Sequence, residues 1–110
     1  MGCPWRGIDF SDGTFPCHRS KLGSLLFLDL QADLLDILKT RIVVPLIPVD
    51  EMTWTMGQLN PRFEINGHSY VMATQRMAAI TISEFGEPVA DLSSQHDRIV
   101  AATDFLFQGF

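Results

Sequence analysis

Hydrophobic and polar positions divide the chain into several short β-type runs and one helical stripe near its end. In LLFLDLQ, residues 25–31, the apolar Leu28 and Leu30 alternate with Asp29 and Gln31, which predicts a strand. RIVVPLIPV, residues 41–49, is apolar and β-branched, but prolines interrupt it at positions 45 and 48. Since proline lacks the N–H that a sheet ladder needs, this segment is predicted to be an edge strand or a strand bent at a bulge.

A two-residue turn predicts the clearest strand pairing. Asn66-Gly67 separates RFEI, residues 62–65, from HSYVMA, residues 68–73. A tight hairpin turn needs positive φ at its centre, which Asn and Gly tolerate, so the sequence predicts a β-hairpin here. AAITIS, residues 78–83, predicts a further strand, and Gly86 and Pro88 are expected to end this region.

The last element has the period of a helix. Apolar residues recur at helical spacing at Ile99, Ala102, Phe105 and Leu106. Ser94 is followed three residues later by Asp97, which resembles a capping box with an acidic residue in the first turn. We therefore predict a helix from Ser94 to Phe107, with Gly109 as a left-handed terminator just behind it.

The other segments have weaker patterns. Residues 1–24 contain several glycines and prolines and suggest only a short strand around Ile8–Phe10, and residues 50–61 are predicted to form a loop. ADLLDIL, residues 32–38, fits a helical turn or a loop. Together the patterns predict four or five short strands and one C-terminal helix, in a small antiparallel barrel or curled sheet.

Composition and charge narrow the class of protein. At 110 residues the chain is predicted to be one domain, and 46% hydrophobic residues is rich for a domain of this size. The excess favours a homodimer over a well-packed monomer. A net charge of −5 argues against a basic surface for nucleic acid. The sequence has no apolar run long enough for a membrane span and no signal peptide, so we expect a cytoplasmic protein with Cys3 and Cys17 as free thiols.

No group of residues has the spacing that catalysis or metal binding requires. The three histidines, His18, His68 and His96, are far apart and have no Cys or carboxylate at ligand spacing. Asp33 and Asp36 could form a carboxylate pair, but they fit a solvated edge or a cap better. We therefore expect no catalytic residue, no metal and no cofactor, and interpret the protein as one that acts by binding.

Several blocks of the chain resemble the CcdB family of plasmid-type toxins. They are LFLDLQADLLD (26–36), RIVVPL (41–46), LNPRFEINGHSYVMATQRMAAI (59–80), GEPVADLS (86–93) and the closing IVAATDFLFQGF. Their order and spacing also agree with the family. We therefore divide the chain into a diverged N-terminal segment, residues 1–24, and a CcdB-like toxin domain, residues 25–110.

The resemblance implies a mainly β fold, an SH3-like antiparallel barrel of the CcdB and MazF type with a C-terminal α-helix, assembled as a homodimer. It also implies a toxin of a type II toxin–antitoxin system that binds the A subunit of DNA gyrase and traps the gyrase–DNA cleavage complex. Such a protein is an inhibitor of a topoisomerase and not an enzyme. A CcdA-like antitoxin neutralises it, and DNA is contacted only indirectly, through the toxin–antitoxin complex that regulates its own transcription.

The family's gyrase-binding positions fall on seven residues of this chain: Leu34, Leu35, Asp104, Phe107, Gln108, Gly109 and Phe110. Two departures stand out. The best-known member of the family has Trp where this chain has Gln108, so a stacking contact with a gyrase arginine is lost. The family also opens with a short strand of the type Phe-x-Val-Tyr, for which Met1–Ser24 shows no match.

These departures leave two alternatives to an active gyrase poison. The first is a decayed or antitoxin-sequestering relative that does not poison gyrase. The second, which the acidic charge and the lack of a catalytic set disfavour, is an endoribonuclease like the related MazF-type toxins.

Overall fold

The computed structural model describes residues 15–21, 23, 25–31, 39–52 and 54–109. These residues form one curled antiparallel sheet of seven strands and a C-terminal helix. The strands are β1 (Pro16–Ser20), β2 (Leu26–Asp29), β3 (Thr40–Pro48), β4 (Arg62–Ile65), β5 (His68–Met72), β6 (Ala78–Thr81) and β7 (Phe85–Asp91), and the helix is α1 (His96–Gln108). The order across the sheet is β4-β5-β3-β2-β1-β7, with β6 also beside β3. The predicted fold class, a mainly β protein with an SH3-like antiparallel barrel and a C-terminal helix, is confirmed, and the sheet forms a half-barrel.

The long strand β3 lies inside the sheet, so the prediction of an edge strand is wrong. On one side β3 pairs with β2, and on the other it pairs with β5 near its end and with β6 near its start. Pro45 falls between the β5 and β6 ladders, where its carbonyl accepts a hydrogen bond from Ala73 N–H at 3.0 Å. Since Leu46 pairs with Met72, Ala73 lies opposite Pro45, and the Ala73 carbonyl accepts a hydrogen bond from Arg76 N–H at 2.8 Å. The missing N–H of Pro45 therefore leaves no acceptor unpaired.

Two strands were not predicted. β1 lies within residues 1–24, for which the sequence suggested only a strand around Ile8–Phe10, a stretch outside the described residues. β7 spans Gly86 and Pro88, which were expected to end the region; instead β7 pairs with β1 through a ladder with two register shifts. A Cβ atom on Gly86 would lie 2.4 Å from the Arg19 carbonyl oxygen, so glycine allows the two strands to approach closely.

The hairpin of β4 and β5 is confirmed. Ile65 faces His68 across the turn, and the two turn residues have φ values of 53° at Asn66 and 83° at Gly67. Two consecutive positive values identify the type I′ turn that matches the twist of a hairpin. The predicted strands of residues 25–31 and 78–83 are confirmed as β2 and β6.

One face of the curled sheet and one face of α1 enclose the hydrophobic core. Its buried residues are Cys17, Leu26, Leu28, Val44, Leu46, Phe63, Ile65, Met72, Leu92, Ile99 and Ala102. Burial, together with the neighbouring Asp91 carboxylate, raises the pKa of the Cys17 thiol to about 12. Cys17 is therefore a neutral packing residue and not a reactive thiol.

A buried ion pair joins β2 to β3. The Asp29 side chain is 1% exposed and its Oδ2 lies 2.9 Å from Arg41 Nη1, while its Oδ1 accepts a hydrogen bond from Gln31 N–H. The Gln31 side chain in turn accepts a hydrogen bond from Ile42 N–H at 2.8 Å. These contacts continue the pairing of the two strands beyond the last ladder residue of β2.

The helix begins later than predicted and without the expected cap. Residues Ser93–Gln95 form a single 3-10 turn, α1 starts at His96, and no side chain caps either element. Asp97 does lie in the first turn of α1. Within the described ranges no helix is long and apolar enough to cross a membrane.

Candidate binding surface

The C-terminal half of α1 presents a stripe of exposed side chains. Asp104, Phe107 and Gln108 are all exposed, and their spacing of three and four residues places them on one face of the helix. The Phe107 side chain is 72% exposed. Val100, one turn before Asp104, is also exposed and extends the stripe toward the start of the helix. A large exposed aromatic side chain on such a stripe is typical of a contact surface.

The other face of the helix fixes the position of this stripe. Ile99 and Ala102 are buried in the core, and Phe105 and Leu106 are half-buried. Arg98 ties the start of the helix to β4. Its Nη2 donates to the Arg62 carbonyl at 2.8 Å, and its guanidinium carbon lies 4.7 Å from the centre of the Phe63 ring. The stripe therefore lies on a helix that is anchored at its beginning and in its middle.

Gly109 ends the helix in the left-handed conformation, as predicted. Its φ is 81°, and its N–H donates to the Phe105 carbonyl at 2.8 Å. No atom lies within 4 Å of a Cβ placed on Gly109, so the backbone angle, and not crowding, favours glycine here. The αL conformation of Gly109 therefore ends the helix immediately after the exposed stripe.

The structure brings together four of the seven predicted contact residues. Asp104, Phe107, Gln108 and Gly109 lie within the last two turns of α1 and its cap. Leu34, Leu35 and Phe110 lie outside the described residues, so their place on this surface stays a prediction. Val100 was not among the predicted contacts. It lies four residues before Asp104, so the helical period could have placed it on the same face of α1.

The three histidines do not form a common site. His18 packs beside Phe85, which in turn contacts Phe27 edge to face, and the His18 Nδ1 lies 3.2 Å from the Gly86 carbonyl oxygen. His68 is exposed beside the hairpin turn, and His96 contacts Asp97. In the described ranges no three His, Cys, Asp or Glu side chains lie together as metal ligands would. Asp33 and Asp36 fall outside these ranges.

A comparison with known protein families matches residues 15–109 to the family described as CcdB protein. The match begins at Phe15, one residue before β1, and so includes the strand for which the sequence suggested no counterpart. The chain therefore belongs to the CcdB family, and its family identifies it as a toxin of a toxin–antitoxin system.

Proposed function

We propose that this protein binds the A subunit of DNA gyrase through the exposed stripe of α1 and the residues that follow it, and traps the cleaved gyrase–DNA complex. The observation that carries the proposal is the exposed Phe107 on an anchored helix that ends at Gly109. Family membership supports it, because four of the seven positions that the resemblance implies for gyrase binding lie on this stripe or at its end.

The proposed action is binding without chemistry by the toxin. A Phe side chain that passes from water into a protein interface contributes about 1.5–3 kcal/mol, and Phe107 has most of its surface available for that transfer. In the proposed homodimer the stripe occurs twice, so one gyrase dimer would meet two copies of the same contact. Asp104, on the same face, supplies a charge that can select a basic partner surface.

The remaining partners follow from the same proposal. A CcdA-like antitoxin binds the toxin and prevents its access to gyrase, and DNA is contacted only through the toxin–antitoxin complex that represses its own transcription. The protein then acts in the cytoplasm, where gyrase and its DNA are located.

A gyrase cleavage assay with purified protein tests the proposal. Supercoiled DNA, gyrase and ATP are incubated with toxin at micromolar concentration, and linear DNA is counted after denaturation of the enzyme. We expect linear DNA to accumulate with toxin concentration and to decrease when antitoxin is added. If no cleaved DNA accumulates, the protein does not poison gyrase.

Gln108 supports a second candidate, a relative that binds antitoxin but leaves gyrase active. Glutamine has no aromatic face to stack on an arginine of the target. Expression in cells with wild-type gyrase and in a gyrase-resistant strain separates the two candidates. Death of the first strain alone supports the poison, whereas survival of both strains supports the sequestering relative.

Substitution of Gln108 by Trp is expected to strengthen poisoning. A cation–π contact contributes about 0.5–2 kcal/mol, so two copies per dimer would lower the toxin concentration needed for half-maximal cleavage by about tenfold. Gln108→Leu is the matched control, since it adds apolar area without an aromatic face. Equal gains in both variants would attribute the effect to apolar contact, and no gain in either would exclude position 108 as a contact.

A further inference from the structure

The turn between β4 and β5 holds a side-chain amide beside a main-chain nitrogen that can attack it. Asn66 and Gly67 are both exposed at the tip of the hairpin. No described residue forms a hydrogen bond with the Asn66 side chain. A Cβ atom placed on Gly67 would meet no atom within 4 Å, so the Gly67 nitrogen is not crowded either. The turn therefore presents both reacting groups of an Asn-Gly pair to solvent.

The reaction open to these two residues is deamidation. The Gly67 nitrogen attacks Cγ of Asn66, the new N–C bond closes a cyclic succinimide, and the side-chain nitrogen leaves as ammonia with the proton that the Gly67 nitrogen loses. A water molecule then adds to either ring carbonyl and breaks its bond to the Gly67 nitrogen. One opening gives aspartate at position 66, and the other gives isoaspartate, in which the main chain runs through the former side chain. Water is the only co-reactant, and no electrons are transferred.

The closed turn holds the reacting atoms apart. The φ values of 53° at Asn66 and 83° at Gly67 identify a type I′ turn. In such a turn the first central residue has ψ of about +30°. At this angle the Gly67 nitrogen and the Asn66 Cβ lie on opposite sides of the Cα–C bond, so the nitrogen cannot reach Cγ. The turn must therefore open before the ring can close, and the rate should follow the fraction of molecules with an open turn.

The tip of the hairpin is the part of it that opens most easily. His68 and Ser69 are exposed, as are the two turn residues. The first buried side chain on the β4 side of the turn is Ile65, which pairs with His68. Segments with few buried contacts open locally at the lowest cost in free energy. Asn66 therefore lies where the hairpin opens without the rest of the sheet.

The other asparagine of the chain is protected in three ways. Asn60 is only 2% exposed. Its Nδ2 donates to the Met72 carbonyl at 3.0 Å and to Gln75 Oε1 at 2.7 Å, while its Oδ1 accepts from Met56 N–H at 3.0 Å. The next residue is Pro61, whose nitrogen carries no hydrogen to lose. One molecule therefore contains a reactive asparagine and an unreactive one.

We propose that Asn66 is a site of spontaneous deamidation, that the reaction proceeds through the opened β4–β5 turn, and that the isoaspartate product cannot re-form the hairpin. Isoaspartate adds a carbon atom to the main chain of a two-residue turn. Ile65 and His68 then no longer fit opposite each other, because the loop length fixes the register of a hairpin.

The loss extends to the start of α1. Arg98 holds this part of the helix through the Arg62 carbonyl and the ring of Phe63, and both residues belong to β4. A hairpin that has lost its register no longer offers these two contacts together. Deamidation is thus a chemical ageing step that lowers the stability of the protein, and it does not depend on the contact with gyrase.

Peptide mass spectrometry of aged protein tests the site. The folded, full-length protein is held in mildly alkaline buffer and digested with trypsin, which cleaves after arginine and so separates residues 42–62, with Asn60, from residues 63–76, with Asn66. We expect the peptide 63–76 to gain about 1 Da, because OH replaces NH₂, and to elute in two forms. The peptide 42–62 should keep its mass. No gain in the peptide 63–76, or an equal gain in both peptides, overturns the site.

Urea tests whether the turn controls the reaction. A denatured chain has no turn to open, so Asn66 should deamidate at least about tenfold faster in urea than in the folded protein at the same pH. The peptide 42–62 should keep its mass in urea as well, since Pro61 still follows Asn60. Equal rates at Asn66 in the folded and the denatured protein overturn the control by the turn.

The variant Asn66→Asp separates the new charge from the altered main chain. It carries the charge of both products on an ordinary main chain, and aspartate tolerates positive φ. Its urea midpoint should therefore stay close to that of fresh wild-type protein. Aged wild-type protein should unfold at lower urea in proportion to its isoaspartate fraction. A midpoint that isoaspartate leaves unchanged, or that Asn66→Asp lowers equally, overturns the proposed loss of the hairpin.

Discussion

A protein that lacks Gln108–Phe110 is expected to lose gyrase poisoning almost completely. The deletion removes the end of the proposed contact surface from both copies of a dimer. A loss of about 2–3 kcal/mol over both copies, the size of one hot-spot contact, would raise the toxin concentration for half-maximal DNA cleavage by about a hundredfold. The gyrase cleavage assay with matched concentrations of both proteins measures this change.

The fold should tolerate this deletion. Gln108 and Gly109 are exposed, and their removal costs the hydrogen bond from Gly109 N–H to the Phe105 carbonyl and shortens α1 by its last residue. An unchanged denaturant midpoint and retained antitoxin binding would show that the protein is folded. Trp54→Ala is the matched control for an exposed aromatic residue, since Trp54 is 62% exposed and lies in the loop before β4. Cleavage that persists after the deletion would show that gyrase binds another surface.

Replacement of Asp29 by Ala is expected to destabilise the protein by about 3–5 kcal/mol, because it leaves the Arg41 guanidinium with a buried charge and no carboxylate. The Arg41 side chain is only 12% exposed, and its Nε is buried with no hydrogen-bond partner among the described residues. The Asp29 carboxylate therefore compensates a group that has little access to water. Urea unfolding at fixed protein concentration measures the loss.

Two further variants isolate the cause. Arg19→Ala breaks the exposed contact of Arg19 with Glu87, 3.8 Å long, and should change stability by less than about 1 kcal/mol. The double variant Asp29→Ala with Arg41→Met removes both buried charges and should recover much of the loss. If Asp29→Ala costs no more than Arg19→Ala, the buried pair does not stabilise the sheet.

Local sequence patterns predicted an element correctly where the conformation that its residues favour is also the one that they adopt in the folded protein. Asn66-Gly67 predicted the β4–β5 hairpin because positive φ at two adjacent residues has few other uses. The helical period predicted α1, and Gly109 predicted its end. Ser94 did not act as a cap, because residues Ser93–Gln95 form a 3-10 turn and the helix begins after them.

Strand position depended on tertiary contacts that the sequence does not contain. Pro45 indicated an edge, but the gap between the β5 and β6 ladders makes proline harmless inside the sheet. Gly86 and Pro88 were expected to end the strand region before them, but they lie in β7, where the close approach of Arg19 requires glycine and the register shifts accommodate proline. Glycine and proline, which ordinarily end a strand, here lie at the irregular positions of β7.

The contact surface was predicted by two kinds of information. The helical period separates the buried Ile99 and Ala102 from the exposed Phe107, whereas the identity of the target depends on the family resemblance.

The position of β3 between partner strands on both sides predicts different amide exchange in the sheet and at the end of α1. Its amides are enclosed by β2 on one side and by β5 and β6 on the other, so they should exchange with solvent only when the whole sheet opens. The last turn of α1 has less burial, since Phe107 and Gln108 are exposed, so its amides should exchange sooner than those of β3. We therefore expect the contact surface to lose its amide protection while the sheet remains folded.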